Sequence, residues 1–239
     1  MIKHLPNALT LLNLMCGTTA IVFSIEGNWR AAVFLILLAA LFDFFDGLAA
    51  RLLKAYSDIG KQLDSLADMV SFGVLPAIML YLIYQQLFIG DLQGVFAKPF
   101  LQWIVLATVL IIPAFSAIRL ARFNTAEGEG TDFLGLATPA HALFWTGIYW
   151  QIMKSEQLFQ HDIAVWFIWI IHILLAFQMI IPIPMFSLKF ESYVIKGNIV
   201  RYFFLIISIV ILAVAGISGL PLIIIIYILL SLINLLLAK

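Results

Sequence analysis

The chain has 239 residues, of which 64% are hydrophobic and 11% are charged, and its mean hydropathy is +1.11. Because soluble domains carry about 25% charged residues, this composition excludes a water-soluble globular enzyme. The lone cysteine, Cys16, excludes a disulfide-stapled secreted domain. Basic and acidic residues are equal in number, 13 each, so the charge gives no reason to expect nucleic acid as a partner. We therefore predict a polytopic membrane protein in which residues 1–239 form a single membrane domain.

Eight apolar stretches approach the roughly 20 residues that a helix needs to cross a bilayer. In chain order they are 5–26, 29–52, 61–90, 99–123, 137–153, 163–182, 199–216 and 221–237. Because further apolar stretches follow the first one, we expect a spanning helix there rather than a cleaved signal peptide. Pro76 and Pro113 fall inside two of the stretches and predict helix kinks. The expected fold is an all-α integral membrane protein with about eight transmembrane helices.

The distribution of lysine and arginine predicts cytoplasmic N- and C-termini, because cytoplasmic loops are enriched in both residues. The basic residues then assigned to the cytoplasmic side are Lys3, Arg51, Lys54, Lys61, Arg119, Arg122, Lys189, Lys196, Arg201 and Lys239. Those assigned to the other side are Arg30, Lys98 and Lys154. The tryptophans at helix ends on that outer side are Trp29, Trp103, Trp150 and Trp166. Since tryptophan favours membrane interfaces, both patterns predict the same orientation in the cell (cytoplasmic) membrane.

Four aspartates interrupt the second and third apolar stretches, and they are Asp43, Asp46, Asp64 and Asp68. A charge at the bilayer centre costs about 2.5–3.5 kcal/mol on insertion scales, so these side chains should face each other, a cavity or a bound cation. The first two are three residues apart and the last two are four apart, so each pair lies on one helix face. The two helices are consecutive and antiparallel. We therefore expect the four carboxylates to converge in the cytoplasmic third of the membrane, in a site that faces the cytoplasm.

Carboxylates held this closely repel one another unless cations compensate for their charge. Oxygen ligands suit Mg²⁺ or Mn²⁺, with Ca²⁺ as a third ion of the same kind, and Mg²⁺ commonly joins carboxylates to phosphates. Gly47, Ala50 and Gly60 leave room for a large ligand, while Arg51 supplies a phosphate-binding fork. The pattern favours phosphoryl transfer from a pyrophosphate donor. A cation or proton pathway in a transporter also explains intramembrane acids, but not this frame of small residues and arginine.

The aspartates belong to a longer pattern, Asp43-x2-Asp46-Gly47-x2-Ala50-Arg51-x8-Gly60-x3-Asp64-x3-Asp68. This pattern resembles the signature of the CDP-alcohol phosphatidyltransferase family, with the expected gaps and no departure. The resemblance implies that Asp43, Asp46 and Asp64 are metal ligands. It also implies that Asp68 is the general base and contacts the second metal. Relatives in this family are commonly homodimers, so a homodimer is expected here too.

The same resemblance implies which residues contact the CDP-linked lipid. On the first helix, a polar stripe at three- and four-residue spacing is expected to line the nucleotide pocket. With the positions that flank the aspartates, the expected lipid-binding residues are Asn7, Thr10, Asn13, Gly47, Ala50, Arg51, Ser57 and Gly60. The alternative for the stripe, which also includes Pro6 and Gly17, is helix packing through small and amide side chains.

The acceptor is indicated by a second segment, Arg119-Leu-Ala-Arg122-Phe-Asn124, followed by Phe133-x-Gly135-Leu-Ala-Thr138-Pro139. These residues resemble the serine-using branch of the family. Arg119 and Arg122 lie on one face at the cytoplasmic end of the fourth helix, and an arginine fork suits the carboxylate of serine. We expect both to bind the acceptor. The alternatives are that they anchor the helix to anionic lipid, or that they bind a phosphorylated acceptor such as glycerol 3-phosphate or inositol phosphate.

The resemblance therefore implies transfer of a phosphatidyl group from CDP-diacylglycerol to the hydroxyl of L-serine, with release of CMP. The same reaction with another acceptor is the first alternative, and a cation-coupled transporter is the second. His141 and His172 are expected to make local hydrogen bonds rather than to bind metal. The last two helices carry few polar residues, and we expect them to lie away from the site.

Overall fold

A computed structural model describes residues 4–88, 100–125, 133–155, 162–186 and 198–237 of the chain. The helices are α1 (Leu5–Ile25), α2 (Trp29–Leu52), α3 (Asp58–Asp68), α4 (Leu75–Phe88), α5 (Phe100–Thr108), α6 (Ile111–Thr125), α7 (Thr138–Lys154), α8 (Asp162–Ile180), α9 (Ile199–Ala215) and α10 (Leu220–Leu237). A π-helical segment, Met69–Val74, joins α3 to α4. Two short strands, β1 (Phe133–Leu134) and β2 (Pro184–Met185), form an antiparallel pair. Lys3, Lys98, Lys189, Lys196 and Lys239 lie outside the described residues.

The first two helices form a tight hairpin that carries part of the acid cluster. Gly27 takes a φ of 78° in the turn, a conformation that glycine adopts without steric cost. Asn28 then caps α2, since its side chain accepts a hydrogen bond from the backbone N–H of Ala31 at 3.3 Å. The buried face of α1 consists of small and polar residues, listed in chain order as Pro6, Thr10, Asn13, Cys16, Gly17, Ala20 and Ser24. Small side chains let helix backbones approach closely, so this face packs against α2 and α3.

The third apolar stretch begins at a capped helix start and runs through the π-helical segment. The hydroxyl oxygen of Ser57 accepts from the backbone N–H of Gly60 at 3.0 Å, so the helix begins at Asp58. The fourth stretch is broken between α5 and α6, at residues 109–110. Pro113 explains the break, because proline has no N–H to donate to the carbonyl one turn earlier.

The two short strands lie beside the C-terminal end of α8. β1 and β2 pair Phe133 with Met185 and Leu134 with Pro184. Gly135 follows with a φ of 73°, and a Cβ there would lie 2.6 Å from the carbonyl oxygen of Met179. The backbone of α8 therefore passes directly over this turn, and only glycine fits it.

Five helical runs in the described residues are long and apolar enough to cross a membrane. They are Leu5–Ile25, Trp29–Leu52, Asp58–Leu87, Gln102–Thr125 and Ile199–Leu236. The all-α, multi-pass membrane class is thus confirmed. Each of the eight predicted apolar stretches contains helix, but α7 has only 17 residues. The run Ile199–Leu236 contains two helices, α9 and α10, joined by a 3₁₀ turn at Gly216–Gly219. The rings of Phe204 and Tyr227 are 5.6 Å apart, so α10 folds back along α9. The number of eight spans and the direction of the termini stay predictions.

Candidate active site

Three aspartates from two helices form a compact carboxylate cluster. Asp43 lies on α2, while Asp64 and Asp68 lie on α3. One carboxylate oxygen from each residue lies within 4.8 Å of the other two. The carboxyl groups of Asp43 and Asp68 are within hydrogen-bonding distance of each other. α1 packs against both α2 and α3, and these three side chains from α2 and α3 meet beside it.

Asp46 lies beside this cluster but is held by a different partner. Its carboxylate is buried, and the hydroxyl of Thr10 on α1 donates to it at 2.7 Å. It also interacts electrostatically with Asp64. The structure thus associates Asp46 with α1, whereas its three companions face one another.

Asn13 supplies the second contact between α1 and the acids. Its side-chain amide donates to Asp68 at 3.4 Å, and the residue is fully buried. The Oδ1 atom of Asn13 is also buried and has no hydrogen-bond partner. Thr10 and Asn13, predicted from the polar stripe, therefore both contact the aspartates directly.

The donor set of the cluster fits a hard divalent cation. Three carboxylates in apolar surroundings repel one another, and a bound cation removes that repulsion. The Oδ1 atom of Asp64 is buried without a hydrogen-bond partner, so it is available as a ligand. Asp43, Asp64 and Asp68 could together hold a metal ion.

The edge of the carboxylate cluster, which we call its rim, is open on the side of α2. A Cβ added to Gly47 would meet nothing within 4 Å, so this face of α2 has free space beside Asp46. Ala50 is half-buried one turn further along, and Arg51 is exposed at the helix end. A large ligand can therefore approach the acids over these small residues, with a guanidinium group at the edge.

Asn7, Ser57 and Gly60 lie together on the other side of the rim. A Cβ at Gly60 would lie 3.0 Å from the side-chain oxygens of both Asn7 and Ser57. Ser57 already caps α3, so its position has a structural reason independent of any ligand. The close approach of α1 to the start of α3 brings these three predicted residues to one place.

The two acceptor arginines have different surroundings. Arg119 is half-buried, donates from one guanidinium nitrogen to the hydroxyl of Thr138 at 3.4 Å, and interacts electrostatically with Asp68. Its Nε atom is buried and has no hydrogen-bond partner. Arg122 is exposed and donates to the backbone carbonyl of Ile180 at 2.9 Å. Arg119 thus lies within electrostatic reach of Asp68, while Arg122 caps the end of α8.

Asn124 links α6 to α3, a contact that the sequence motif alone did not predict. Its side-chain amide donates to Ser65 at 2.8 Å, and Lys61 donates to its backbone carbonyl at 2.7 Å. Ser65 follows Asp64 directly on α3. The helix that carries Arg119 is therefore tied to the helix that carries two of the acids.

The last helix also reaches this neighbourhood, contrary to our expectation. Tyr227 on α10 interacts electrostatically with Arg119. Its hydroxyl donates to the backbone carbonyl of Phe186 at 3.0 Å, and its ring packs against those of Phe186 and Phe204. In the sequence, the only sign that this helix lies near Arg119 is an isolated tyrosine among apolar residues.

The buried histidines make local hydrogen bonds, as predicted. Trp145 donates to Nε2 of His141 at 3.1 Å, four residues away on α7. The hydroxyl of Tyr84 lies 3.4 Å from Nδ1 of His172 on α8. Both histidines are fully buried within the helix core. Neither belongs to the carboxylate cluster.

The apolar helical fold and the acid cluster agree with the family that the sequence signature resembles. The chain belongs to the CDP-alcohol phosphatidyltransferase family, whose model matches residues 3–183. That match includes α1, the acid hairpin and both acceptor arginines. It ends before α9 and α10, so Tyr227 lies outside it.

Individual relatives are similar to the chain at moderate identity. The CDP-diacylglycerol–serine O-phosphatidyltransferase of Mycobacterium tuberculosis is 37% identical over 154 residues, which are 62% of this chain and 49% of the relative. The archaetidylserine synthase of Methanothermobacter thermautotrophicus is 37% identical over 159 residues, 64% of this chain and 60% of the relative. The CDP-diacylglycerol–serine O-phosphatidyltransferase of Bacillus subtilis is 34% identical over 137 residues, 57% of this chain and 70% of the relative. The chain thus spans about half the length of its mycobacterial relatives.

Proposed function

We propose that this protein transfers a phosphatidyl group from CDP-diacylglycerol to the hydroxyl of L-serine, yielding phosphatidylserine and CMP. The observation that carries the proposal is the clustering of Asp43, Asp64 and Asp68 from two helices that bear the complete family signature. The names of the bacterial relatives support serine as the acceptor. Transport of a cation is less well supported, because it gives no reason for the open space at Gly47 or for Arg51 at the rim.

The proposed mechanism assigns Asp43, Asp46, Asp64 and Asp68 to hold divalent cations, with Mg²⁺ or Mn²⁺ as the expected ions. Bound cations would neutralise the pyrophosphate and the charge that develops on CMP. Thr10 and Asn13 orient two of these acids through the hydrogen bonds described above. Gly47, Ala50, Gly60, Asn7 and Ser57 form the walls against which the CDP-lipid lies, and Arg51 binds its phosphate at the membrane surface.

The chemical step joins the hydroxyl oxygen of serine to the lipid-linked phosphorus. Asp68 accepts the proton of that hydroxyl as the new oxygen–phosphorus bond forms. The bond between the same phosphorus and the oxygen of CMP breaks, and CMP leaves with the electron pair. Arg119 holds the carboxylate of serine, because it lies within electrostatic reach of Asp68 and its buried Nε atom has no hydrogen-bond partner.

The acceptor is tested with purified protein, CDP-diacylglycerol and Mg²⁺ or Mn²⁺, by measuring CMP release. L-Serine should support release, while glycerol 3-phosphate, inositol phosphate and ethanolamine should not. Release with a phosphorylated alcohol instead would keep the reaction class and overturn the serine assignment. Release with none of them, together with ion binding that ignores CDP-diacylglycerol, would favour the transporter. The same assay should also be run with a CDP-lipid that has an archaeal backbone, since one relative is named archaetidylserine synthase.

Arg119→Lys should raise the KM for serine by about ten- to a hundredfold. Lysine keeps the charge but loses the bidentate fork, and a hydrogen bond to a charged group contributes roughly 1.5–3 kcal/mol. The KM for CDP-diacylglycerol should change much less, because Arg51 and the acid cluster hold the donor. Steady-state kinetics with each substrate varied in turn makes this measurement.

Arg122→Lys is the matched control for this experiment. Our sequence prediction placed both arginines on the acceptor, but Arg122 donates to the end of α8. Its lysine variant should therefore leave the KM for serine within about threefold of the wild type, or lower protein stability instead. If Arg122→Lys raises this KM and Arg119→Lys does not, the two roles are reversed. If the KM for CDP-diacylglycerol rises in Arg119→Lys, that arginine binds the donor.

The proposed orientation has eight spans, cytoplasmic termini and a site that faces the cytoplasm. It is tested on a Cys16→Ser background with single cysteines at two exposed positions, Glu26→Cys and Tyr56→Cys. A membrane-impermeant maleimide added to intact cells should label the first variant. The second should react only after permeabilisation. The opposite pattern would reverse the orientation.

We also propose a homodimer in the membrane, on the grounds of the family resemblance. The mass of the purified protein in detergent, with the detergent contribution subtracted, should equal two chains. A single-chain mass at working concentrations, with full activity, would exclude a requirement for the dimer.

A further inference from the structure

The helix that carries Asp64 and Asp68 changes its geometry immediately after Asp68. Residues Met69–Val74 are π-helical, and regular α-helix resumes at Leu75. A π-helical turn is rare, carries an extra residue and occurs frequently at functional sites. Because its hydrogen bonding is less favourable than that of an α-helix, such a turn persists where the surrounding structure holds it in place.

Ser71 attaches the π-helical segment to α1. It is fully buried, and its hydroxyl donates to the backbone carbonyl of Asn13 at 3.1 Å. The side chain of the same Asn13 donates to Asp68 at 3.4 Å. One residue of α1 is therefore held by Ser71 through its backbone and contacts Asp68 through its side chain.

Gly17 shows how closely the two segments approach. A Cβ at this position would lie 2.1 Å from the hydroxyl oxygen of Ser71 and 2.9 Å from its Cα. Contact with the Cα means that backbone meets backbone, so no side chain fits between α1 and the π-helical segment. On the other side, a Cβ at Gly73 would lie 3.2 Å from Cβ of Ser116 on α6. The segment is thus wedged between two helices and has little freedom to move.

We propose that Ser71 is a positioning residue that acts through Asn13 to orient the carboxyl group of Asp68. The inference rests on the proposed function, in which Asp68 accepts the proton of the acceptor hydroxyl. Loss of the Ser71 hydroxyl would remove the hydrogen bond that ties the π-helical segment to the carbonyl of Asn13, and would loosen the turn that starts at the next residue after Asp68. Ser71 itself is not among the residues expected to contact CDP-diacylglycerol or serine, so the KM values should change little.

The expected result for Ser71→Ala is a fall in kcat of about tenfold, with the KM values for both substrates within about twofold of the wild type. Ser71→Cys is nearly isosteric and retains a weak donor, so it should recover part of the lost kcat. Ser231→Ala is the matched control, because Ser231 is also buried and donates to a carbonyl, but within its own helix α10. Its kcat should equal that of the wild type.

A double-mutant cycle separates positioning from a general structural effect. If Ser71 acts through Asn13, Ser71→Ala should change kcat little on an Asn13→Ala background, since the link to Asp68 is already absent. Independent effects of the two substitutions, or an unchanged kcat in Ser71→Ala, would overturn the inference while the proposed function stands. A change in either KM value well beyond twofold would also overturn it. A wild-type protein that releases no CMP with any acceptor would overturn both.

Discussion

Asp68→Asn should lower kcat for CMP release by about 10²-fold or more. Asparagine keeps the shape of the side chain but cannot accept a proton from the attacking hydroxyl, and general base catalysis contributes typically 10²- to 10⁴-fold. The amide of Asn13 already donates to Asp68, so the variant also places two amide groups against each other. Binding of the CDP-lipid should survive, because Asp43 and Asp64 remain. Single-turnover kinetics together with equilibrium binding of the CDP-lipid separate the two effects.

Asp58→Asn is the matched control on the same helix. Asp58 is exposed in the first turn of α3, away from the carboxylate cluster, so its neutralisation should leave kcat within about twofold. Asp43→Asn provides the contrast, since it removes a carboxylate from the cluster and should weaken metal and donor binding together. Near-normal turnover in Asp68→Asn would show that another group or a water molecule takes the proton.

Periodicity and spacing predicted the acid hairpin because both depend on local helix geometry. Residues three or four apart share a face in any α-helix, and a short connector between apolar stretches makes them antiparallel. The structure accordingly brings Asp43, Asp64 and Asp68 together. What spacing could not show is that Asp46 turns to Thr10, since that choice depends on how α1 packs against α2.

Proline predicted where two helices depart from regular geometry, but not the form of each departure. Pro76 predicted a disturbance in the third stretch, and the π-helical segment Met69–Val74 ends two residues before it, packed against α1 and α6. Pro113 likewise predicted a disturbance, and the helix is interrupted at residues 109–110, one turn before it. The last two predicted stretches, 199–216 and 221–237, are separate helices, because contact between the rings of Phe204 and Tyr227 requires α10 to fold back along α9.

The acceptor side of the site depends most on tertiary contacts. Arg119 and Arg122 are equivalent in the motif, yet one lies within electrostatic reach of Asp68 and the other binds the carbonyl of Ile180. Tyr227 follows in sequence more than a hundred residues after Arg119, and no local pattern joins them. Such pairings arise from the packing of whole helices. The sequence motif therefore predicts which arginines are candidates for acceptor binding, and the structure shows that their surroundings differ.

Removal of divalent cations should abolish CMP release altogether. One oxygen from each of the three clustered carboxylates lies within 4.8 Å of the other two, so cations are needed to offset their repulsion and to bring a pyrophosphate beside them. Excess EDTA should therefore stop the reaction, and Mg²⁺ or Mn²⁺ added beyond the chelator should restore it. EDTA already saturated with Mg²⁺ is the control for any effect of the chelator itself. Full activity in excess free EDTA would exclude the metal assignment.

Binding of Mn²⁺, followed by electron paramagnetic resonance, tests the same site without catalysis. The wild type should reduce the signal of free Mn²⁺, and Asp43→Asn and Asp64→Asn should each weaken that binding by about tenfold or more, because each removes a charged ligand from a small set. Asp58→Asn should bind as the wild type does, since it lies outside the cluster. Equal binding by all four proteins would place the cation elsewhere. Asp46→Asn tests the fourth aspartate. If it retains Mn²⁺ binding while Asp43→Asn and Asp64→Asn lose it, the ligands are restricted to the three clustered aspartates. Asp46 would then anchor α1 through its hydrogen bond with Thr10.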